Sequence, residues 1–281
     1  MTGLSQLAPR YDAILSDVWG VLHNSHVAHP SACDALVRYR EGGGTVILIT
    51  NAPLLAPTIT DMLDQLAVPR TAYDAIVSSG YVTRHILEDY RGKTVHYVGP
   101  PEDRDPLLEG LGLTLGPAES AQAVVVTDLE TDDDTPDMYR DRLAVWLKRD
   151  LPLIAANPDR VVERGDRLKY CGGALADLYE AQGGRILMAG KPYRPIYAES
   201  LRMAEQTAGR PLDKSRVLAI GDSVRTDAIG AAGFGVDFMF ITGSIHAEEL
   251  DAFGDPDPDA IREFIAPSGA NLAGFAPRLA W

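Results

Sequence analysis

Six residues stand just past short apolar runs, where an α/β chain presents side chains able to do chemistry. Asp17 follows Ala13–Ser16 and opens Asp17-Val18-Trp19-Gly20-Val21. Thr50 and Asn51 close the run that begins at Thr45. Lys191 stands in Gly190-Lys191-Pro192, just ahead of a helical pattern. Asp222 and Asp227 follow Val217–Ile220, in Gly221-Asp222-Ser223 and Thr226-Asp227. A single carboxylate at a strand end is commonly a turn former. Together the six supply an anionic nucleophile, a hydroxyl, an amide, a cation and a carboxylate pair. In open parallel sheets, ligands bind beyond the carboxyl ends of the strands, which is where all of these would lie.

The elements that must position them read as alternating strands and helices. Strands are expected at Ala13–Ser16, Thr45–Thr50, Thr94–Val98, Ala123–Thr127, Leu153–Ala156, Val217–Ile220 and Phe238–Ile241. Several are continuously apolar, as parallel strands covered on both faces are. Helical patterns cover Pro57–Leu66, Tyr81–Glu88, Met138–Arg149, Ala174–Gln182, Pro195–Thr207 and Asp227–Ala232. A further helix is expected from Ser31, with Asp34 completing a capping box. The alternation predicts an α/β fold.

Other features are punctuation. Gly42-Gly43-Gly44 follows a helix and precedes a strand, the reverse of a dinucleotide-binding loop, so it reads as a helix stop. Asp255, Asp257 and Asp259 alternate like a calcium loop, but Ala260 and Ala266 occupy the positions that need Gly and Glu. The acidic stretch Asp128 to Asp137 reads as a solvated loop with helix-capping carboxylates. Cys33 and Cys171 lack metal-ligand spacing, and Cys33 falls on an apolar helical face as a core thiol.

Composition bounds the partners. The 281 residues carry 26 basic and 40 acidic side chains, a formal net charge of -14 with no basic stripe, so a nucleic-acid partner is not expected. A small phosphorylated substrate remains compatible, because a bound divalent cation inverts the local field. The start MTGLSQLAPRYDAI lacks the pattern of a signal peptide, and no apolar run approaches the ~20 residues of a membrane span. The expectation is a soluble, cytoplasmic protein.

Four motifs in order, Asp17-x-Trp19-Gly20-Val21, Ile49-Thr50-Asn51, Gly190-Lys191-Pro192 and Gly221-Asp222-x3-Thr226-Asp227, resemble those of the haloacid dehalogenase-like (HAD) superfamily. The segment between the second and third looks like the type-IIA cap of p-nitrophenylphosphatase-like and nucleotide or phosphoglycolate phosphatases. Ser79-Gly80 and Asn157-Pro158-Asp159 are similar to that subclass. The resemblance implies a Rossmann-like core with a parallel sheet, built from residues 1–82 and 186–281, with an inserted α/β cap (type C2) at 83–185. It implies a phosphatase of a small phosphorylated metabolite. Asp17 would attack phosphorus, Thr50 and Asn51 would donate to the phosphoryl group, and Lys191 would balance the charges. Mg²⁺ would be held by the Asp17 carboxylate, the Trp19 main-chain carbonyl and Asp222, with Asp227 as a further ligand or supporting carboxylate. Relatives of this class often dimerise through the cap, so a homodimer is expected by resemblance. Candidates for substrate selection in the cap are Asn157, Asp159, Tyr170 and Cys171.

Position 19 departs from the pattern. The family's phosphatases carry there a second aspartate, which protonates the leaving oxygen. Indole cannot take that role, and general acid–base catalysis is worth about 10²–10⁴-fold. Two readings stay open. Either His23 or His26, on the flap that follows the nucleophile, supplies the proton; or the chain turns over only activated esters, or binds phospho-ligands in a regulatory role with little turnover.

Overall fold

The computed structural model describes residues 1–164, 167–254 and 256–281. In chain order the strands are β1 (Ala13–Asp17), β2 (Thr45–Thr50), β3 (Ala75–Ser78), β4 (Thr94–Val98), β5 (Thr114–Leu115), β6 (Ala123–Val126), β7 (Leu153–Ala155), β8 (Val161–Arg164), β9 (Arg167–Tyr170), β10 (Ile186–Met188), β11 (Val217–Gly221), β12 (Asp237–Ile241) and β13 (Asn271–Ala276). The chain divides into two compact units: Met1–Thr50 with Ala56–Val77 and Lys191–Trp281, and Asn51–Leu55 with Ser78–Gly190.

The first unit holds a six-stranded sheet in the order β13-β12-β11-β1-β2-β3. β1 pairs in parallel with both β2 and β11, and β12 in parallel with β11 and β13. Every residue of β1 and of β11 is buried, which explains why neither alternates apolar with polar. Register fixes the heights of the candidate residues: Asp17 lies level with Ile49, so Thr50 is one residue beyond it. Ser16 lies level with Ile220, which leaves Asp222 just past the end of β11.

The second unit has its own parallel sheet, β10-β7-β6-β4-β5, and an antiparallel pair, β8 with β9. Its core packs the fully buried Trp146 and Tyr179 against Val124, Val126, Leu143 and Leu153. The two rings meet edge to face at 6.1 Å. Its helices include Ser79–Glu88, Arg140–Lys148 and Gly172–Ala181.

Several local expectations are corrected. The helix expected from Ser31 spans Pro30–Glu41, with His29 at its N-cap and no side-chain cap; Pro30 at the first turn starts it. Asp34 pairs with Arg38 one turn on, at 2.9 Å, rather than closing a capping box. The helix expected at Met138–Arg149 is a 3₁₀ turn at Pro136–Tyr139 followed by Arg140–Lys148. The helix expected from Asp227 is preceded by a π turn, Val224–Ala228. β13 went unforeseen because NLAGFA has no β-branched residue and an internal glycine.

The punctuation behaves as expected. Gly42 caps its helix, Gly43 takes φ 88°, and the Tyr39 ring fills the space at Gly44. The acidic stretch differs in one respect: Asp134 accepts from Thr131 and from the Tyr139 hydroxyl, and the N-cap of Pro136–Tyr139 is Thr135 rather than a carboxylate. Asp257 caps the helix Pro258–Ile265 by accepting from Asp259 N, while Asp255 lies outside the described residues. Cys33 and Cys171 are both buried. No helix among the described residues is long and apolar enough to cross a membrane.

Candidate active site

Asp17, Asp222 and Asp227, drawn from two separated stretches of sequence, come together beyond β1 and β11. Each offers a carboxylate oxygen, and these atoms lie within 4.8 Å of one another. All are buried, at 7%, 2% and 2% exposure. Like charges this close repel strongly out of water, so the cluster demands cations. Lys191, 3% exposed, provides one: its Nζ lies 2.7 Å from Asp17 Oδ1 and 2.7 Å from Asp227 Oδ1.

The electrostatics follow from that crowding. Burial pushes the Asp17 carboxyl well above its ordinary range; Lys191 pulls it back, and Asp227 and Asp222 push it up again. Asp222 is raised to about 7, first by burial and then by Asp227, with the Ser244 hydroxyl and Lys191 opposing. Burial acts to lower Lys191, but Asp17 and Asp227 outweigh it and hold the ammonium above its usual value. Among the described residues, Lys191 in contact and Arg278 acting on Asp222 from farther off leave three crowded carboxylates short of close positive charge.

The donor set fits a hard divalent cation such as Mg²⁺. Asp222 Oδ2 is buried without a hydrogen-bond partner among the described residues, which is costly unless something occupies its lone pairs. Beside it the chain leaves room by using glycine: Gly20 has φ 81°, and a Cβ there would lie 2.0 Å from Asp222 Oδ2 and 2.5 Å from Ser244 Oγ. An all-oxygen cluster with few protein ligands is what Mg²⁺ accepts.

Local hydrogen bonds hold the carboxylates in place. Val18 N donates to Asp17 Oδ1 at 2.7 Å, and Ser223 N to Asp227 Oδ2 at 3.1 Å. In the π turn, the amides of Asp227 and Ala228 both reach the Ser223 carbonyl. π turns of this kind are frequent at functional sites. Tyr197, on the helix Arg194–Ala208, donates its hydroxyl to the Asp227 carbonyl at 3.2 Å, and its ring fills the space above Gly230. Tyr197 gave no sign in the sequence beyond an apolar helical position; only the packing shows that it braces the turn carrying Asp227.

The remaining candidates separate. Thr50 ends β2, one residue past the level of Asp17. Asn51 belongs to the second unit, where its amide donates to Asp159 Oδ1 at 2.8 Å. Asn157 accepts from Asp159 N, so these two shape the loop that meets Asn51. Tyr170 lines a cavity of about 240 Å³ with Pro101, Leu129 and Lys169, whereas Cys171 is buried at the N-cap of Gly172–Ala181.

Trp19 is half-buried, and its indole Nε1 donates to Ser25 Oγ at 2.6 Å. Ser25 sits at φ 73°, unusual for a serine. Its amide donates to His23 Nδ1 at 3.0 Å. Burial, then the charge of His29, lowers His23 to about 4, so it is neutral at physiological pH. His26 is exposed.

A family model for haloacid dehalogenase-like hydrolases matches residues 14–114, and a HAD-hydrolase-like model matches residues 188–266. A haloacid dehalogenase-like hydrolase from Brucella suis is 41% identical, covers 99% of both chains and superposes with a TM-score of 0.85. The chain belongs to the haloacid dehalogenase-like hydrolase family. Among other relatives of this HAD hydrolase, the mouse haloacid dehalogenase-like hydrolase domain-containing protein 2 is 27% identical over 252 residues, covering 87% of this chain and 89% of its own. A glycerol phosphate phosphatase from Mycobacterium tuberculosis, solved in complex with magnesium, shares the fold with a TM-score of 0.67 at 22% identity, over 89% of this chain and 73% of that one.

Proposed function

We propose that this HAD hydrolase is a Mg²⁺-dependent phosphatase of a small phosphorylated metabolite, with Asp17 as nucleophile. The observation that carries the reading is the buried Asp17, Asp222 and Asp227 cluster, balanced by one lysine and with Asp222 Oδ2 unsatisfied. Magnesium in the related glycerol phosphate phosphatase supports the choice of ion. The ion, held by Asp17, Asp222 and the Trp19 carbonyl with Asp227 in support, would neutralise phosphate charge so that a carboxylate can approach it. Asp17 forms an aspartyl-phosphate. Lys191 favours the ionised form of Asp17 and would hold it in place through their 2.7 Å contact. The Thr50 hydroxyl, one residue above Asp17 on the neighbouring strand, donates to the phosphoryl oxygens. Asn51 follows it in the chain, and its amide supports that role if it exchanges Asp159 for substrate.

The test is hydrolysis of p-nitrophenyl phosphate with Mg²⁺ by wild type and Asp17→Asn. The expected result is metal-dependent turnover that the substitution abolishes. Turnover that survives Asp17→Asn would refute the nucleophile. Metal and phosphate binding without turnover in wild type would instead support a phospho-ligand-binding, regulatory role.

A further inference from the structure

We infer that the substrates are phosphates whose leaving oxygen departs without being protonated, namely acyl, enol and aryl phosphates, and not alkyl phosphate monoesters. The inference rests on the phosphatase reading and narrows its substrate class.

The stretch that follows the nucleophile contains no Asp or Glu from Val18 to Cys33. Several of its polar groups are committed to one another, while His29 Nε2 is buried without a partner among the described residues and His26 is exposed. Gly20 N donates to the His23 carbonyl at 2.8 Å, and His29 N to the Leu22 carbonyl at 2.7 Å. Asn24 Oδ1 accepts from the amides of His26 and Val27 at 3.2 and 3.0 Å. His23 Nδ1 accepts from Ser25 N, and Ser25 Oγ accepts from the Trp19 indole. Trp19, two residues after Asp17, therefore spends its only polar hydrogen inside the turn. Indole has no proton to give in any case. Holding Ser25 in the left-handed region costs of order 1–3 kcal/mol, so the clamp between Trp19 and Ser25 is maintained against strain. Position 19 therefore offers the leaving oxygen no acid, its indole being tied to Ser25.

The chemistry balances without an acid. An Asp17 oxygen attacks phosphorus as the bond from phosphorus to the leaving oxygen breaks. That oxygen takes the electron pair and leaves as a carboxylate, enolate or phenolate. In the second step water attacks the phosphorus of the aspartyl-phosphate, the bond to the Asp17 oxygen breaks, and Asp17 leaves as a carboxylate. Both water hydrogens stay with the inorganic phosphate as H₂PO₄⁻. The second step releases a good leaving group whatever the substrate was, but lacks a general base. Dephosphorylation is then the slow step for reactive substrates, and leaving-group dependence is read in kcat/KM rather than kcat.

The experiment measures kcat/KM with Mg²⁺ for acetyl phosphate, a series of substituted phenyl phosphates and glycerol phosphate, with Asp17→Asn as background control. In wild type, log kcat/KM should fall steeply as the leaving-group pKa rises. p-Nitrophenyl phosphate should exceed glycerol phosphate by about 10²–10⁴-fold, the usual worth of a general acid. Rapid mixing should show a burst of p-nitrophenolate equal to the enzyme present. Trp19→Asp should flatten the slope by raising the alkyl rate, and the wild-type series decides the matter if that variant does not fold. Glycerol phosphate turned over within tenfold of p-nitrophenyl phosphate would overturn the inference while leaving the phosphatase reading intact. A steep slope in wild type supports it, whereas an alkaline limb in the alkyl pH–rate profile that vanishes in His23→Ala or His26→Ala refutes it. No turnover of any phosphate, acetyl phosphate included, would defeat the phosphatase reading itself.

Discussion

Replacing Lys191 by Met tests the electrostatic account directly, because the side chains are similar in length and the ammonium is lost with its charge and its hydrogen bonds. In metal-free protein, Lys191 is the cation paired at 2.7 Å with both Asp17 and Asp227. Removing one partner of a buried ion pair costs about 3–5 kcal/mol when the remaining charge stays uncompensated. The folded protein has an alternative, which is to bind a proton on one carboxylate. At pH 7 that costs about 1.4 kcal/mol for each unit separating the pH from an ordinary aspartate pKa of about 3.9, or roughly 4 kcal/mol. At pH 5 the same protonation costs only about 1.5 kcal/mol. The sign follows from linkage: a carboxyl whose folded pKa is raised makes the folded state hold a proton that the unfolded state has released, so stability rises as pH falls toward 3.9. Asp17 and Asp222 are already raised in the wild type, so the extra proton is the variant's own share. The assay is urea unfolding of wild type and Lys191→Met in EDTA at pH 7 and pH 5. The expected deficit is about 4 kcal/mol at pH 7, shrinking to about 1.5 at pH 5, and Mg²⁺ should restore part of it at pH 7. A deficit below about 1 kcal/mol at pH 7, or one that does not shrink at pH 5, would refute the reasoning.

Three further outcomes follow from the same structure. Gly20→Ala places a methyl 2.0 Å from Asp222 Oδ2 on a backbone at φ 81°, so calorimetric Mg²⁺ affinity should drop at least about tenfold; wild-type affinity would show that the loop opens freely. Tyr197→Phe removes the hydroxyl bound to the Asp227 carbonyl and should weaken Mg²⁺ binding by about tenfold; unchanged binding with only about 1 kcal/mol of lost stability would make the hydroxyl a packing feature. Asp12 is held down at about 2, mainly by hydrogen bonding to Arg216, with Arg210 assisting and burial opposing. Its contribution is present above about pH 4 and lost as pH falls through 2, and solvent screening limits it to about 1 kcal/mol. Asp12→Asn should therefore remove that part of the acid-induced loss seen in unfolding between pH 6 and pH 2; an identical pH dependence in the variant would contradict it.

The α/β class, the main strands and the six residues past their ends could be read from the chain because they rest on local patterns. A parallel strand buried on both faces has to be a short apolar run, and VLAIG or VILIT announces itself within one window. What lies far apart in sequence could not be read that way. The single lysine bridging Asp17 and Asp227 depends on how three segments meet beyond the sheet. So do the brace from Tyr197 to the π turn and the close approach that makes residue 20 a glycine. The resemblance implied a phosphate-donor part for Asn51; that its amide also bonds Asp159 shows only once the chain is folded. Trp19 was visible as a missing acid, but only the fold shows its indole bound to a strained Ser25 and His23 held neutral beside it. Sequence periodicity reports which face of an element is buried; which buried polar groups must satisfy one another is decided when distant elements pack and water leaves.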